Sequence, residues 1–273
     1  MAPSTNCLDH IIYLTPPGSV TETAEEFRQL GFNVLAGGQH EDGLTENSLV
    51  ILGDGVYLEL ISFVKPLEAY PHGSPERSAR ENHRWAAKAP GWIDYAFLRY
   101  SSETVRIPDI INDRAVAGGD EVLYGDGTAG GRTRIDGQIL KWIVTFPRLS
   151  AEGRRPPIPF FCEDVTPRDL RVPSLDTEHP CSVQGIAFLH LRVPLEKLDE
   201  LARSFDYIIG RSSIHYEWQL STDKSIAGHS CRLLLSVSDT KVLEISEVAF
   251  YVKDKPPADT IQTTYGKIRF VVL

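Results

Sequence analysis

Two ionisable side chains in the first sixty residues carry the clearest chemical signal. His10 interrupts the apolar run Leu8–Leu14 (LDHIIYL), and Glu59 interrupts Val56–Phe63 (VYLELISF). A charge-bearing group in the middle of an apolar strand is costly to bury unless it is paired or binds a metal. With strand alternation, His10 shares a face with Ile12 and Leu14, and Glu59 with Tyr57, Ile61 and Phe63. Imidazole plus carboxylate suits a first-row divalent ion such as Zn, Fe, Mn, Ni or Co. A His–Glu pair satisfied inside a core, or side chains facing solvent, would read the same way in the sequence.

Further candidates lie downstream. His40 and Asn47 belong to the stretch GGQHEDGLTENS, where glycines allow close backbone approach to a ligand and His40 has the chemistry of a ligand or a general acid/base. The hairpin GRTRIDGQILKW offers Arg132 to hold a carboxylate in two-pronged fashion and Trp142 to stack on a planar group. A cross-strand Arg–Asp pair with Asp136 beside a packing Trp is the competing reading. Tyr57 sits two residues from Glu59 and can line the same pocket, whereas Trp85, Trp92 and Tyr95 read as packing residues. His72, His83, His215 and His229 fall in loops or on strand exteriors and receive no role. The four cysteines (Cys7, Cys162, Cys181 and Cys231) form no CxxC, so neither a zinc knuckle nor a disulfide framework is expected. No Gly-x-Ser-x-Gly elbow, Walker A loop or GxGxxG after a strand occurs. Gly125–Gly131 (GDGTAGG) reads as a hairpin loop.

These residues need elements to hold them. Leu8–Leu14 reads as a buried strand ended by Thr15-Pro16-Pro17-Gly18. Val20, Ala24, Phe27 and Leu30 mark one face of a helix closed by Gly31. Strands follow at Asn33–Ala36, Asn47–Leu52 and Val56–Phe63, with Gly53-Asp54-Gly55 as a tight turn. Residues 66–91 read as a surface linker with a short helix near Glu81–Lys88. The β-α-β-β-β order then recurs: Trp92–Tyr100, a helix over Glu103–Arg114 made irregular by Pro108, Glu121–Tyr124, a hairpin over Thr133–Pro147, and Pro159–Val165. A third pass begins with Gln184–Val193 and a helix over Pro194–Phe205. Strands at Ser213–Leu220, Cys231–Val237 and Lys241–Val248 (KVLEISEV) and a tail strand at Gly266–Leu273 complete it. The match of YLELISF with VLEISEV sets Glu244 against Glu59.

The 273 residues suffice for one large or two modest cored domains. The net charge of −9 argues against nucleic acid or an anionic membrane as partner. No apolar run approaches the ~18 residues of a membrane span, and the N-terminus lacks the pattern of a signal peptide. A cytoplasmic protein with a small-molecule partner is expected.

The opening LDHIIYL, the stretch AGGQHEDGLTENSLVILGDGVYLELISF, and then GWIDYAFLRY, GGRTRIDGQILKW and PIPFFCEDV resemble the glyoxalase-like domain of the vicinal oxygen chelate superfamily. The resemblance covers roughly residues 7–165 as two modules, 7–65 and 92–165. Residues 179–273 look like a degenerate third βαβββ module plus a C-terminal strand. It implies an α+β fold of repeated βαβββ modules curling into cupped mixed sheets, with a divalent metal often inside. By position, His10 and Glu59 match the first- and last-strand metal ligands of module one. Glu163 falls at the last-strand position of module two and is assigned, with His40, a catalytic role. Near Asp94 or Ala96, where module two would supply its first ligand, there is no histidine. His190 and Glu244 are assigned as ligands in module three, and Asn47, Arg132, Trp142 and Tyr57 as substrate contacts. The family's chemistry implies a metal-dependent lyase or isomerase that stabilises an enolate or oxyanion on a small oxygenated metabolite. A sequestering protein without chemistry, and an extradiol-type dioxygenase using His10, His40 and Glu59, are the alternatives. The cup can close within one chain or across a homodimer.

Overall fold

The computed structural model describes residues 4–98, 106–134, 136–149, 156–174, 177–239 and 243–273. Fourteen strands and five short α-helices are described, in two curled mixed sheets. The first sheet opens with β1 (Leu8–Thr15), α1 (Val20–Gln29), β2 (Leu35–Gln39), β3 (Thr45–Ile51) and β4 (Tyr57–Phe63). After α2 (Pro75–Glu81) come β5 (Gly91–Leu98), α3 (Ile107–Ala117), β6 (Tyr124–Thr133), β7 (Ile139–Pro147) and β8 (Phe160–Asp164). The spatial order is β2-β3-β4-β1-β5-β8-β7-β6. β1 runs parallel to β4 and antiparallel to β5, and β5 runs parallel to β8, so the two modules meet back to back along β1 and β5.

The far edges curl toward one another. An antiparallel bridge joins His40 to Arg132, and the Glu41 amide donates to the Gly131 carbonyl at 3.1 Å. The eight strands thus close into a cup with a seam between β2 and β6.

Alternation sorts the side chains. His10, Ile12 and Leu14 of β1 and Glu59, Ile61 and Phe63 of β4 turn into the cup, as expected. Ile11, Tyr13, Leu58 and Leu60 turn outward into a large core shared with the second sheet and with α1 and α3. Because that core is continuous, the C-terminal region packs on the outer face of the cup.

The C-terminal region departs from the expected single module. α4 (Arg168–Arg171) is followed by β9 (Val183–Val193), α5 (Leu198–Ile209), β10 (Glu217–Leu220), β11 (Cys231–Val237), β12 (Glu244–Val252), β13 (Thr260–Gln262) and β14 (Lys267–Val272). The order is β10-β11-β9-β12-β14-β13. β9 is parallel to β11 and antiparallel to β12, and β12 is parallel to β14. β12 therefore stands to β9 as β5 stands to β1: it opens a fourth, truncated unit and does not close the third. The likeness of YLELISF to VLEISEV was a likeness of local pattern alone.

Three local expectations also change. The linker helix lies at Pro75–Glu81, where Ser74 caps it by accepting from the Arg77 amide at 3.1 Å and Pro75 occupies the first turn. Pro108 likewise sits in the first turn of α3, where a missing N–H costs nothing, so the helix is regular. The glycine-rich stretch Gly125–Gly131 belongs to strand β6. The expected helix start at Glu103, the strand end at Tyr100 and the strand start at Lys241 lie outside the described residues. Among the described residues, no helix is long and apolar enough to cross a membrane.

Candidate functional site

The cup encloses a cavity of about 440 Å³, within the range of small-molecule sites. His10, His40, Asn47, Tyr57, Glu59, Arg132 and Trp142 all line it. These residues come from five strands and the β2–β3 turn, and the cup brings them together as the sequence suggested.

His10 and Glu59 enter from neighbouring parallel strands. His10 Nε2 lies 3.8 Å from Glu59 Oε2, and His40 Nε2 lies 3.5 Å from Glu59 Oε1. Asn47 donates its amide to Glu59 Oε1 at 2.6 Å and accepts the Gly38 amide at 3.1 Å. A Cβ on Gly37 would run into Asn47, so that position requires glycine for close approach. Asn47 thereby fixes the rotation of the Glu59 carboxylate. Burial pushes the Glu59 carboxyl upward, but His40, His10 and the Asn47 amide outweigh it and hold it below the usual carboxylate range. Burial pulls His40 below the ordinary histidine range against the pull of Glu59. Its Nδ1 bonds Thr45 Oγ1 at 2.7 Å.

Behind His10 stands a charge network that sequence reasoning missed. Asp9, fully buried, meets His10 Nδ1 at 2.7 Å. Adjacent residues of a regular strand face opposite ways, but the β1–β5 register slips between Leu8 and His10. This bulge allows Asp9 and His10 to meet on one side. Arg168 donates to Asp9 at 2.7 Å, and Arg171 donates to Asp9 at 3.0 Å and to the Tyr57 hydroxyl at 2.7 Å. Both arginines also bond Asp164. Burial would raise Asp9, yet Arg171 and Arg168 hold it well below the usual carboxylate range. An ionised Asp9 only accepts, so His10 carries its proton on Nδ1 toward Asp9 and turns Nε2 to the cavity. Tyr57 stacks on the His10 ring with centroids 4.6 Å apart.

The opposite wall comes from module two and the linker. Trp142, Val144, Phe146 and Phe160 form it, with His83 and Arg84 at the side. Trp85 is buried and donates its indole N–H to Asp94 at 2.9 Å. The segment read as a surface linker therefore plugs one side of the cup.

Several assigned residues are not brought to this site. In β8, Phe160 and Cys162 face the cavity, so alternation points Glu163 away from it, and Glu163 is not part of the lining. Burial pushes the Cys162 thiol up to about 12, which leaves it a protonated wall residue at neutral pH. Asp94 is tied to Trp85, and Ala96, directly opposite His10, offers no donor. His190 and Glu244 do not meet: Glu244 is exposed opposite Arg192, and His190 bonds Ser236 at 2.8 Å. The residue opposite His190 is Glu247, which pairs with Lys267 and Arg269.

Among the described residues, no group of three or more His, Cys, Asp or Glu side chains is already gathered as a metal cage. The donor chemistry at the mouth of β1, β2 and β4 nonetheless suits a divalent ion. Two ligands 2.1 Å from one tetrahedral ion stand ~3.4 Å apart, close to the 3.5 and 3.8 Å between Glu59 and the two imidazoles. Glu59 turns a different oxygen to each histidine, so an ion would draw one imidazole over to complete its shell.

A family model described as a glyoxalase-like domain matches residues 8–206. No curated protein matches the chain. Among solved structures, a hypothetical protein from Staphylococcus aureus is 13% identical, with 97% of this chain and 99% of that one covered and a TM-score of 0.66, a likeness of fold. A variant of 4-hydroxymandelate synthase from Streptomyces coelicolor is 14% identical, with 93% and 72% covered and a TM-score of 0.46. Methylmalonyl-CoA epimerase from Mycobacterium tuberculosis is 14% identical, with 63% and 96% covered and a TM-score of 0.35.

Proposed function

The chain belongs to the glyoxalase-like domain family, and from that premise we propose that it is a metal-dependent lyase or isomerase that moves a proton on a small oxygenated molecule held in the cup. The observation that carries this reading is the line of coupled groups Asp9–His10···Glu59···His40 facing one small cavity.

His10 and Glu59 would hold the ion, which would polarise a substrate oxygen as a Lewis acid. Asp9 fixes the His10 tautomer and ring orientation. Asn47 holds Glu59 Oε1, which leaves Oε2 turned to His10 for the ion. His40, which burial pulls below the ordinary histidine range, would move the substrate proton; its side chain is 18% exposed, against 4% for His10 and 8% for Glu59. Trp142, Phe146 and Phe160 keep water from the reacting carbon.

One observation favours a second reading. Module two offers Ala96 opposite His10, and Asp94 is already engaged by Trp85. A cup with half its ligand positions filled would suit a protein that sequesters a small molecule without chemistry. Metal analysis of the purified chain separates the two. The enzyme reading expects a stoichiometric divalent ion that is lost in the His10→Ala/Glu59→Ala double variant. Full retention of the ion in that variant sinks the metal site, and a wild-type chain that takes up no divalent ion on reconstitution favours sequestration.

A further inference from the structure

Arg132 differs from the other buried arginine of the cavity. Arg171 meets Asp9, Asp164 and Tyr57. Arg132 is 6% exposed and lines the cavity, yet no carboxylate among the described residues lies within ion-pair distance of it. A buried guanidinium without a counter-charge is costly, and a cavity-facing one is a binding group in waiting.

The surroundings are shaped for a flat ligand. Gly130 pairs with Trp142 across β6 and β7, and a Cβ there would meet the indole nitrogen at 2.6 Å. Glycine at that position lets the indole lie close over β6. Gly38 likewise leaves the Arg132 guanidinium room: a Cβ would stand 3.6 Å from it and 3.2 Å from the Thr133 carbonyl. Trp142, Phe146 and Phe160 supply aromatic wall around the same space. Glu41, Asp42 and Glu59 also line the cavity, so a dianion such as a phosphate monoester would meet repulsion that a monoanion largely escapes.

We propose that Arg132 and Trp142 form the subsite for the carboxylate of a planar, aromatic monoacid. The guanidinium takes the carboxylate by two parallel N–H···O bonds, the ring lies along Trp142, and the rest of the molecule points at His10, His40 and Glu59. This rests on the proposed function in placing the reacting end, but the subsite itself is a matter of binding and is tested without turnover.

The probes are benzoate and its neutral isostere benzamide, followed by calorimetry and tryptophan fluorescence on the full chain. Benzoate is expected to bind the wild type at least about tenfold more tightly than benzamide. Arg132→Gln is expected to weaken benzoate at least about thirtyfold and leave benzamide unchanged. Arg132→Lys, with charge but no fork, falls between, and Trp142→Leu weakens both probes while keeping their ratio. Arg132→Gln breaks no ion pair among the described residues and should fold about as well as the wild type; were it to misfold, the wild-type ratio and Arg132→Lys still decide. Equal affinity for the two probes, no binding of benzoate up to about 10 mM, or undiminished benzoate affinity in Arg132→Gln overturns the proposal. The absence of a divalent ion with benzoate discrimination intact would sink the reaction and leave the subsite standing, and the reverse result would do the opposite.

Discussion

Replacing Asp9 by Asn tests the charge network that holds His10. The substitution keeps the shape of the side chain and removes its charge. Asp9 has no exposed surface and accepts from Arg168 at 2.7 Å, Arg171 at 3.0 Å and His10 at 2.7 Å. Removing one partner of a buried pair costs about 3–5 kcal/mol. Here Asp164 still bonds both arginines, at 3.2 Å to Arg168 and 2.5 Å to Arg171, so the low end applies. A loss of about 3 kcal/mol in a chain of this size corresponds to a Tm lower by roughly 6–12 °C. Thermal and urea unfolding at pH 7 measure it. The pH dependence adds a second check. The Asp9 carboxyl is held well below its unfolded range, so its contribution is complete above that range and disappears as pH falls through the folded value. Wild type and variant should therefore converge in stability at acid pH. A variant within about 1 kcal/mol of wild type at pH 7 would show that the network is not what stabilises this corner of the cup.

Two further outcomes are expected. Burial pushes Asp54 up to about 7 even though it accepts the amides of Val56 and Ile186, so the folded state favours its proton and stability falls as pH rises from about 4 to about 7; Asp54→Asn should flatten that slope in urea titrations, and an unchanged slope would refute it. Gly130→Ala should displace the Trp142 indole, at about 1–3 kcal/mol of overpacking, with a shifted tryptophan emission and weaker binding of aromatic acids as the readout.

His10 and Glu59 were legible because each interrupts an apolar strand, and strand alternation then decides which face they share. The β-α-β-β-β order was legible from the breakers Pro16-Pro17-Gly18, Gly31 and Gly53-Asp54-Gly55. What alternation cannot reveal is a bulge: a regular strand would turn Asp9 away from His10, and the slipped register brings the two together. Glu163 failed for a related reason, since the strand enters the cup with Phe160 and Cys162 inward, and a slip of one residue reverses every side chain. Arg168 and Arg171 act on a residue 159 and 162 positions earlier, a distance no local pattern spans. Strand β6 was hidden by its glycines, whose propensity reads as loop while their lack of side chain serves the Trp142 indole. The fourth unit was missed because pairing direction, not sequence likeness, distinguishes a strand that closes one module from one that opens the next.

The seam between β2 and β6 gives the cup a spine and a clasp. Along the spine, β1 and β5 share a ladder from Leu8 to Leu14. At the clasp, a bridge between His40 and Arg132 and the Glu41–Gly131 hydrogen bond tie the free edges. The four residues that fasten the clasp also line the cavity. A ligand lodged there touches both halves of the cup at once. Any molecule that binds the folded cup and not the unfolded chain therefore raises the stability of both modules together by mass action.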